Sequence, residues 1–350
     1  MSKNTAIIVK DKGVATAAEV PIPKLRDDYI IVNVKAVALN PTDWKHVDFL
    51  TTAGTHIGCD YAGVVEEVGS KVTKGFKKGD RVAGFSHGGN EVHKEDGAFG
   101  NYITAKGDIQ IKIPDNLSFE QAATLGVGIT TVGQGLYQSL GLPLPTKPAA
   151  EKIPLLIYGG STATGSLAIQ FAKLSNCEVI TTCSPRNFEY VKSLGADHTF
   201  DYRSPTCSKD IKELTKDKLA YVFDCISEGD STKISLEAMS SSGGTYSTLL
   251  PVDPELTKKL NPKVELKSTL GYTVVGEYFK FGSTDMPARP QDFEFGKMWW
   301  EQARELLEKG AIKVHRPSVN KYGTGFDGIL KGMDAMREGK VSSEKLVYTL

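Results

Sequence analysis

The stretch LLIYGGSTATGSLAIQFAKLS, Leu155–Ser175, decides the fold. Leu155, Leu156, Ile157 and Tyr158 form an apolar run that ends in two glycines; after Ser161–Thr164 the apolar residues return with helical spacing. A buried strand entering a helix through small residues lets the backbone approach an anionic ligand. The helix start adds unpaired N–H donors and the positive end of its dipole. Measured against G-x-G-x-x-G, the fingerprint positions hold Gly160, Thr162 and Gly165, so the middle glycine is replaced. A glycine-rich turn in another α/β domain reads the same way in isolation, but the flanking sequence separates the two. EVITTC is followed by the helical NFEYVKSLGA, closed by Gly195, then by HTFDY and SKDIKELTKDK. AYVFDCI, STKISLEAM and TYSTLL continue the alternation. Strands and helices alternating at these lengths predict βαβ units and a doubly wound parallel sheet, a Rossmann domain in an α/β chain.

The second strand ends at SPRN, where an acidic residue would accept hydrogen bonds from a free ribose 2′-OH. Ser184, Arg186 and Asn187 suit a 2′-phosphate instead, which predicts NADPH. Gly160, Ser161, Thr162, Ala163 and Thr164 are expected around the diphosphate, the threonine hydroxyls adding donors. Tyr202, closing HTFDY, either stacks on adenine or is a strand-end aromatic.

At 350 residues the chain accommodates two cores. Lys plus Arg equals Asp plus Glu at 42 each, so no basic field recruits nucleic acid or anionic lipid. No apolar run approaches the roughly 18 residues that a membrane span needs, and MSKNTAIIVKDKG has no signal-peptide pattern. Cys59, Cys177, Cys183, Cys207 and Cys225 include no C-x-x-C pair, which fits a reducing compartment; the expectation is a soluble cytoplasmic protein acting on a small-molecule substrate. PLPTKPAAEKIP from Pro143 reads as the connection into the dinucleotide domain, and GSTDMPARPQDF from Gly282 as the return to the first.

The N-terminal region is β-rich. In DYIIVNVKAVAL the alternation predicts a half-buried strand, and Gly79-Asp80 a turn into the strand at Arg81. GCDYAGVVEEVG and FKKGDRV, placed before a Rossmann unit, make the chain resemble the medium-chain dehydrogenases/reductases over essentially its whole length. The resemblance implies a GroES-like β-rich catalytic domain over 1–118 and 283–350, with the Rossmann domain over 119–282. NPTDWK, GGSTATG, SPRN and SSEKLV resemble a fungal zinc-free branch that includes trans-acting enoyl reductases and aldehyde- or quinone-reducing relatives. It implies reduction of the activated C=C of an α,β-unsaturated carbonyl compound, an enoyl thioester delivered by an acyl-carrier or polyketide synthase partner among the options. An aldehyde or quinone reductase, and a silent NADPH-binding redox sensor, are the alternatives.

Aligned by motif, the zinc-ligand positions of zinc-dependent members hold Asn40, Cys59 and Val127, a poor donor set, so no metal is expected. His87, Glu91, His93 and Asp96 read as solvated loop residues. Pro41 fixes the chain and Thr42 or Asp43 is the candidate cap of a short helix. The resemblance places Pro41, Thr42, Asp43, Trp44 and Lys45 near cofactor and substrate, with Lys45 donating a hydrogen bond to the enolate oxygen or contacting the cofactor ribose, and a surface lysine as the alternative. It assigns Thr130 a catalytic role and Thr131 a cofactor contact; ordinary helix packing is the alternative for both. Leu249, Leu250, Val341 and Ser342 are expected near the cofactor. Tyr278, Phe279 and Phe281 are expected to wall a substrate pocket, with a plain hydrophobic core as the competitor. His315 reads as structural. An edge strand KSTLGYTVV leaves monomer and homodimer both open.

Overall fold

Six short strands form one parallel sheet in the computed structural model, which describes residues 4–350. Its order is His198–Phe200, Cys177–Thr182, Ile153–Tyr158, Tyr221–Asp224, Gly244–Thr248 and Val264–Ser268, the 3-2-1-4-5-6 arrangement of a doubly wound Rossmann sheet. Leu156, Ile180, Val222, Leu236 and Tyr246 close one core of this unit. The phenol of Tyr246 is satisfied inside it, donating to Asp224 at 2.7 Å with the Thr232 hydroxyl 3.0 Å away. The edge strand is Val264–Ser268; Gly271–Val275 turns into a 3-10 helix, so KSTLGYTVV is not a single strand.

The other unit, the barrel unit, is built on a seven-stranded sheet centred on the antiparallel pair Tyr29–Ala38 and Asp60–Val68. Tyr29–Ala38 is buried along nearly its whole length, more than half-buried alternation implies. Two strands share its second edge: Tyr102–Lys106 pairs with its first half and Lys345–Thr349 with its last residues. Both faces are covered. Ile30, Val32, Val34 and Val37 face a large aliphatic and aromatic core, while Ala36 and Ala38 meet Ala62, Ala83, Ala122 and Ala123.

That alanine layer explains where the chain divides. One compact unit runs to Thr130 and resumes at Tyr272–Leu350; the other is Thr131–Gly271. The borders expected at 118/119 and 282/283 are therefore displaced. Helix Phe119–Ala122 packs its small residues on the barrel, and Tyr272 is a buried residue of the first unit. All five cysteines are free; four are buried and Cys225 is half-buried. No helix among the described residues is long and apolar enough to cross a membrane.

Leu156 lies fully buried on a central strand, whereas Leu266 lies half-buried on the edge strand. Leu156→Ala is expected to cost about 2–5 kcal/mol in urea unfolding, and Leu266→Ala distinctly less. Equal losses would contradict this placement of the core.

Candidate functional site

In the Rossmann unit, Tyr158 leads into Gly159, whose φ of +82° favours glycine, and helix Ala163–Leu174 begins four residues later. Gly160 and Gly165 are fixed by crowding. A Cβ on Gly165 would lie 2.3 Å from the carbonyl oxygen of Gly159, and one on Gly160 would lie 2.0 Å from Thr181 Oγ1. Thr162 takes the missing glycine's place as the helix N-cap, its hydroxyl accepting the Gly165 N–H at 2.9 Å. The N–H groups of Ala163 and Thr164, in the first turn, lack acceptors within the helix. Ser161 to Thr164 are half-buried around them. This is a backbone cradle for an anion, and it fits a dinucleotide diphosphate.

Ser184, Arg186 and Tyr202 line one open pocket of about 370 Å³ with Pro185 and Arg203. Arg203 is the residue sequence reasoning missed. Asp201 accepts from its Nε at 3.0 Å and from its Nη2 at 3.1 Å, holding the guanidinium beside the pocket. Asn187 does not line it; it turns inward, buried, where the helix Phe188–Ser193 begins. Leu249 and Leu250 are half-buried past the strand Gly244–Thr248, and the Leu249 N–H is already committed to Ser227 Oγ at 2.9 Å.

In the barrel unit the segment NPTDWK forms helix Pro41–Lys45, which widens into a π-helical turn over His46–Leu50. Its cap is Asn40, not Thr42 or Asp43. Pro41 occupies the first turn, and Asp43 reaches back to accept the Asn40 N–H at 2.7 Å. Thr42, Trp44 and Lys45 are half-buried, and the Lys45 ammonium sits 5.7 Å from the Trp44 ring centre. Thr130 lies buried in helix Gly126–Val132, its hydroxyl accepting the Trp300 indole N–H at 3.2 Å, so it takes part in helix packing. Thr131 is buried on the next position.

The aromatic wall differs from expectation. Tyr278 is exposed, its hydroxyl bonded to Asp285, so it is not part of a pocket wall. Phe279 is buried core, and Phe281 is half-buried. Both flank Tyr272, whose ring centre lies 4.6 Å from that of His87 and 5.2 Å from that of His46. Tyr272 was not foreseen, because nothing in GYTVV marks it. His87 and Asp96 are likewise buried, correcting the solvated-loop reading. His87 packs between Tyr272 and Phe279, and Asp96 pairs with Arg26. Val341 packs on the barrel core and Ser342 is exposed beyond it. His315 is buried, consistent with a structural role.

Electrostatically the cluster is neutral. Burial lowers His46 to about 4 and His87 to about 3, so both are uncharged at neutral pH. Burial, then the nearby Asp43, pushes the Cys59 thiol well up, and its Sγ lies 3.4 Å from the Tyr272 hydroxyl. That hydroxyl also meets Thr42 Oγ1 at 2.8 Å. Asn40 accepts a hydrogen bond from the Lys345 ammonium. Among the described residues no group of three or more His, Cys, Asp or Glu side chains could hold a metal ion.

Comparison with known proteins agrees with the fold of the two units. Residues 26–115 match the family model of the alcohol dehydrogenase GroES-like domain, and residues 163–273 match that of the zinc-binding dehydrogenases. A trans-enoyl reductase of Alternaria alternata is 48% identical over 353 residues, covering 100% of both chains. One of Cochliobolus carbonum is 60% identical over 258 residues, 74% of this chain and 85% of that protein. Among solved structures, a quinone oxidoreductase from Coxiella burnetii shares the fold with a TM-score of 0.73 at 22% identity, covering 100% of both.

Burial raises the Asp43 carboxyl to about 7, against the opposing hydrogen bond from Asn40 and with the charge of Asp60 adding to the rise. An acid whose folded value is raised stabilises the fold below the unfolded value near 4, and that contribution is lost as pH climbs towards 7. Asp43→Asn keeps the acceptor for Asn40 and has no proton to lose. Its stability relative to wild type should therefore rise between about pH 4 and 7. Parallel stability curves in urea titrations across that range would refute the burial of a protonated Asp43.

Proposed function

The chain belongs to the fungal trans-enoyl reductases of the medium-chain dehydrogenase/reductase family, and from that premise we propose that it is a zinc-independent, NADPH-dependent reductase of α,β-unsaturated acyl thioesters. Full-length similarity to a trans-enoyl reductase carries the reaction class. The pocket at the end of the second Rossmann strand supports the choice of NADPH. Its lining includes Ser184, Arg186 and Arg203 but no acidic residue, the composition that welcomes a 2′-phosphate.

A nicotinamide dinucleotide supplies a hydride when bound. Gly159–Thr164 would hold its diphosphate, Ser184 and Arg186 its 2′-phosphate, and Tyr202 its adenine. Lys45 and Thr130 act on the substrate side. As the β-carbon accepts hydride, negative charge gathers on the thioester oxygen, and the Lys45 ammonium donates to that atom as the charge develops. The α-carbon is then protonated from water or an acid. No Lewis acid is needed for a conjugated acceptor, because its charge spreads onto an oxygen that hydrogen bonds can hold. Zinc independence is supported by the residues at the ligand positions. Asn40 already faces a lysine ammonium, Cys59 is a neutral thiol bonded to a tyrosine, and Val127 has no donor atom on its side chain. This set does not fit a zinc ion. Phe281 and the rings beside it give the barrel unit apolar area for an acyl chain, and a carrier domain of a polyketide synthase is the proposed source of the thioester.

NADPH oxidation across enoyl thioesters, short aldehydes and quinones, with chelator present, tests the proposal. The thioesters are expected to turn over fastest; turnover confined to aldehydes or quinones would replace the reading with a general reductase. Cofactor binding with no turnover at all would leave a binding protein. Lys45→Met should lower kcat by about 10²-fold while leaving the Kd for NADPH near wild type. Arg186→Ala should raise the KM for NADPH far more than for NADH, and an unchanged preference would remove the 2′-phosphate assignment.

A further inference from the structure

Lys345 sits in the C-terminal strand Lys345–Thr349 with only 3% of its surface exposed, and it is absent from the chemistry described so far. Its ammonium lies 2.8 Å from Asp60 Oδ2, and Asp60 is itself fully buried. The same ammonium donates to Asn40 Oδ1 across 305 residues of sequence. Asn40 caps the helix that carries Lys45. The other oxygen of Asp60, Oδ1, accepts the N–H of Val127 at 2.6 Å, in the first turn of the helix that carries Thr130. The approach is so close that a Cβ on Gly126 would stand 2.4 Å from Asp60 Oδ1, so only glycine fits there.

We propose that Lys345 is a positioning residue: one buried cation that, directly through Asn40 and indirectly through Asp60, fixes the starts of both helices bearing the reactive side chains. The inference rests on the roles given above to Lys45 and Thr130. A buried ammonium cannot satisfy itself with water, so it holds its acceptors in one arrangement, and small displacements at a reacting group cost rate steeply. Lys345 touches neither substrate nor cofactor in this account; it acts through the two helix starts.

The test pairs Lys345→Met with the double substitution Asp60→Asn/Lys345→Met. The single variant strands the Asp60 charge and should lose both Tm and turnover. The double variant leaves no uncompensated charge and keeps an acceptor for Val127, so Tm should largely recover. Asn40 still lacks its cation, and kcat should remain about 10²-fold low, with an unchanged Kd for 2′,5′-ADP. Amide hydrogen exchange over residues 40–50 should stay faster than wild type in the double variant, and Lys345→Arg should restore part of kcat. Recovery of kcat together with Tm, or wild-type exchange over 40–50, would overturn the proposal and leave the pair a matter of stability alone. Lys45→Met in the same assay separates the two ideas: if it leaves turnover intact, the role of Lys45 fails, while the exchange readout still judges Lys345.

Discussion

A charge taken out of water dictates its surroundings, and in the barrel unit that charge is the ammonium of Lys345. Once it is buried beside Asp60, both need every remaining polar atom near them to be placed, because a half-satisfied ionic group inside a protein costs more than an apolar one of the same size. The consequences spread along the chain. Asn40 gives its side-chain oxygen to the lysine and its N–H to Asp43, which sets the first turn of helix Pro41–Lys45. Asp60 takes the Val127 N–H and thereby requires glycine at 126. The last strand, paired with Pro317–Val319 on one side and Tyr29–Ala38 on the other, thus does more than extend the sheet. It delivers the cation around which the N-terminal half of the unit is arranged.

The Rossmann unit solves the opposite problem, leaving backbone donors unpaired where an anion can arrive. Gly159, Gly160 and Gly165 let strand, turn and helix approach one another until no side chain fits between them. Thr162 then spends its hydroxyl on capping, which leaves the earlier N–H groups of the turn for a ligand. A threonine in place of the middle glycine is therefore compatible with anion binding, because the residue sits at an N-cap with extended backbone, where a side chain is tolerated and useful. Arg203, braced by Asp201, shows the same economy: a bidentate contact through Nε and Nη2 fixes the guanidinium without engaging Nη1.

What could be read from the sequence was what local pattern encodes. The strand–helix alternation, the turn at Gly159–Thr164, the strand-end pair Ser184 and Arg186, and the short helix after Pro41 all rest on neighbours within a few residues, and the structure contains each. The missed features depend on contacts between distant segments. The burial of His87 and Asp96 is set by Tyr272 and Arg26, and a glycine-rich, polar loop gives no local sign of it. Tyr272 follows a strand end and looks like any connector residue. The unit borders moved because Ala122 and Ala123 pack on alanines of three different strands, a match of small surfaces that no helical or strand period announces. Tyr278 and Phe279 part at the start of a strand: Tyr278 precedes it and lies in solvent, while Phe279 opens it and enters the core, the alternative open for it from the outset.

The neutrality of the aromatic cluster follows from the same partition of charge. Lys345 and Asp60 compensate one another, while His46, His87, Cys59 and Tyr272 are each held by burial in their uncharged forms. In such surroundings an ammonium arriving at a developing oxyanion is weakly screened and correspondingly effective. A metal at the old ligand positions would instead have to displace a lysine from Asn40 and ionise a thiol that burial keeps protonated. Asn40 and Cys59, poor partners for a metal ion, thus belong to the same arrangement that keeps this part of the barrel unit free of competing charge.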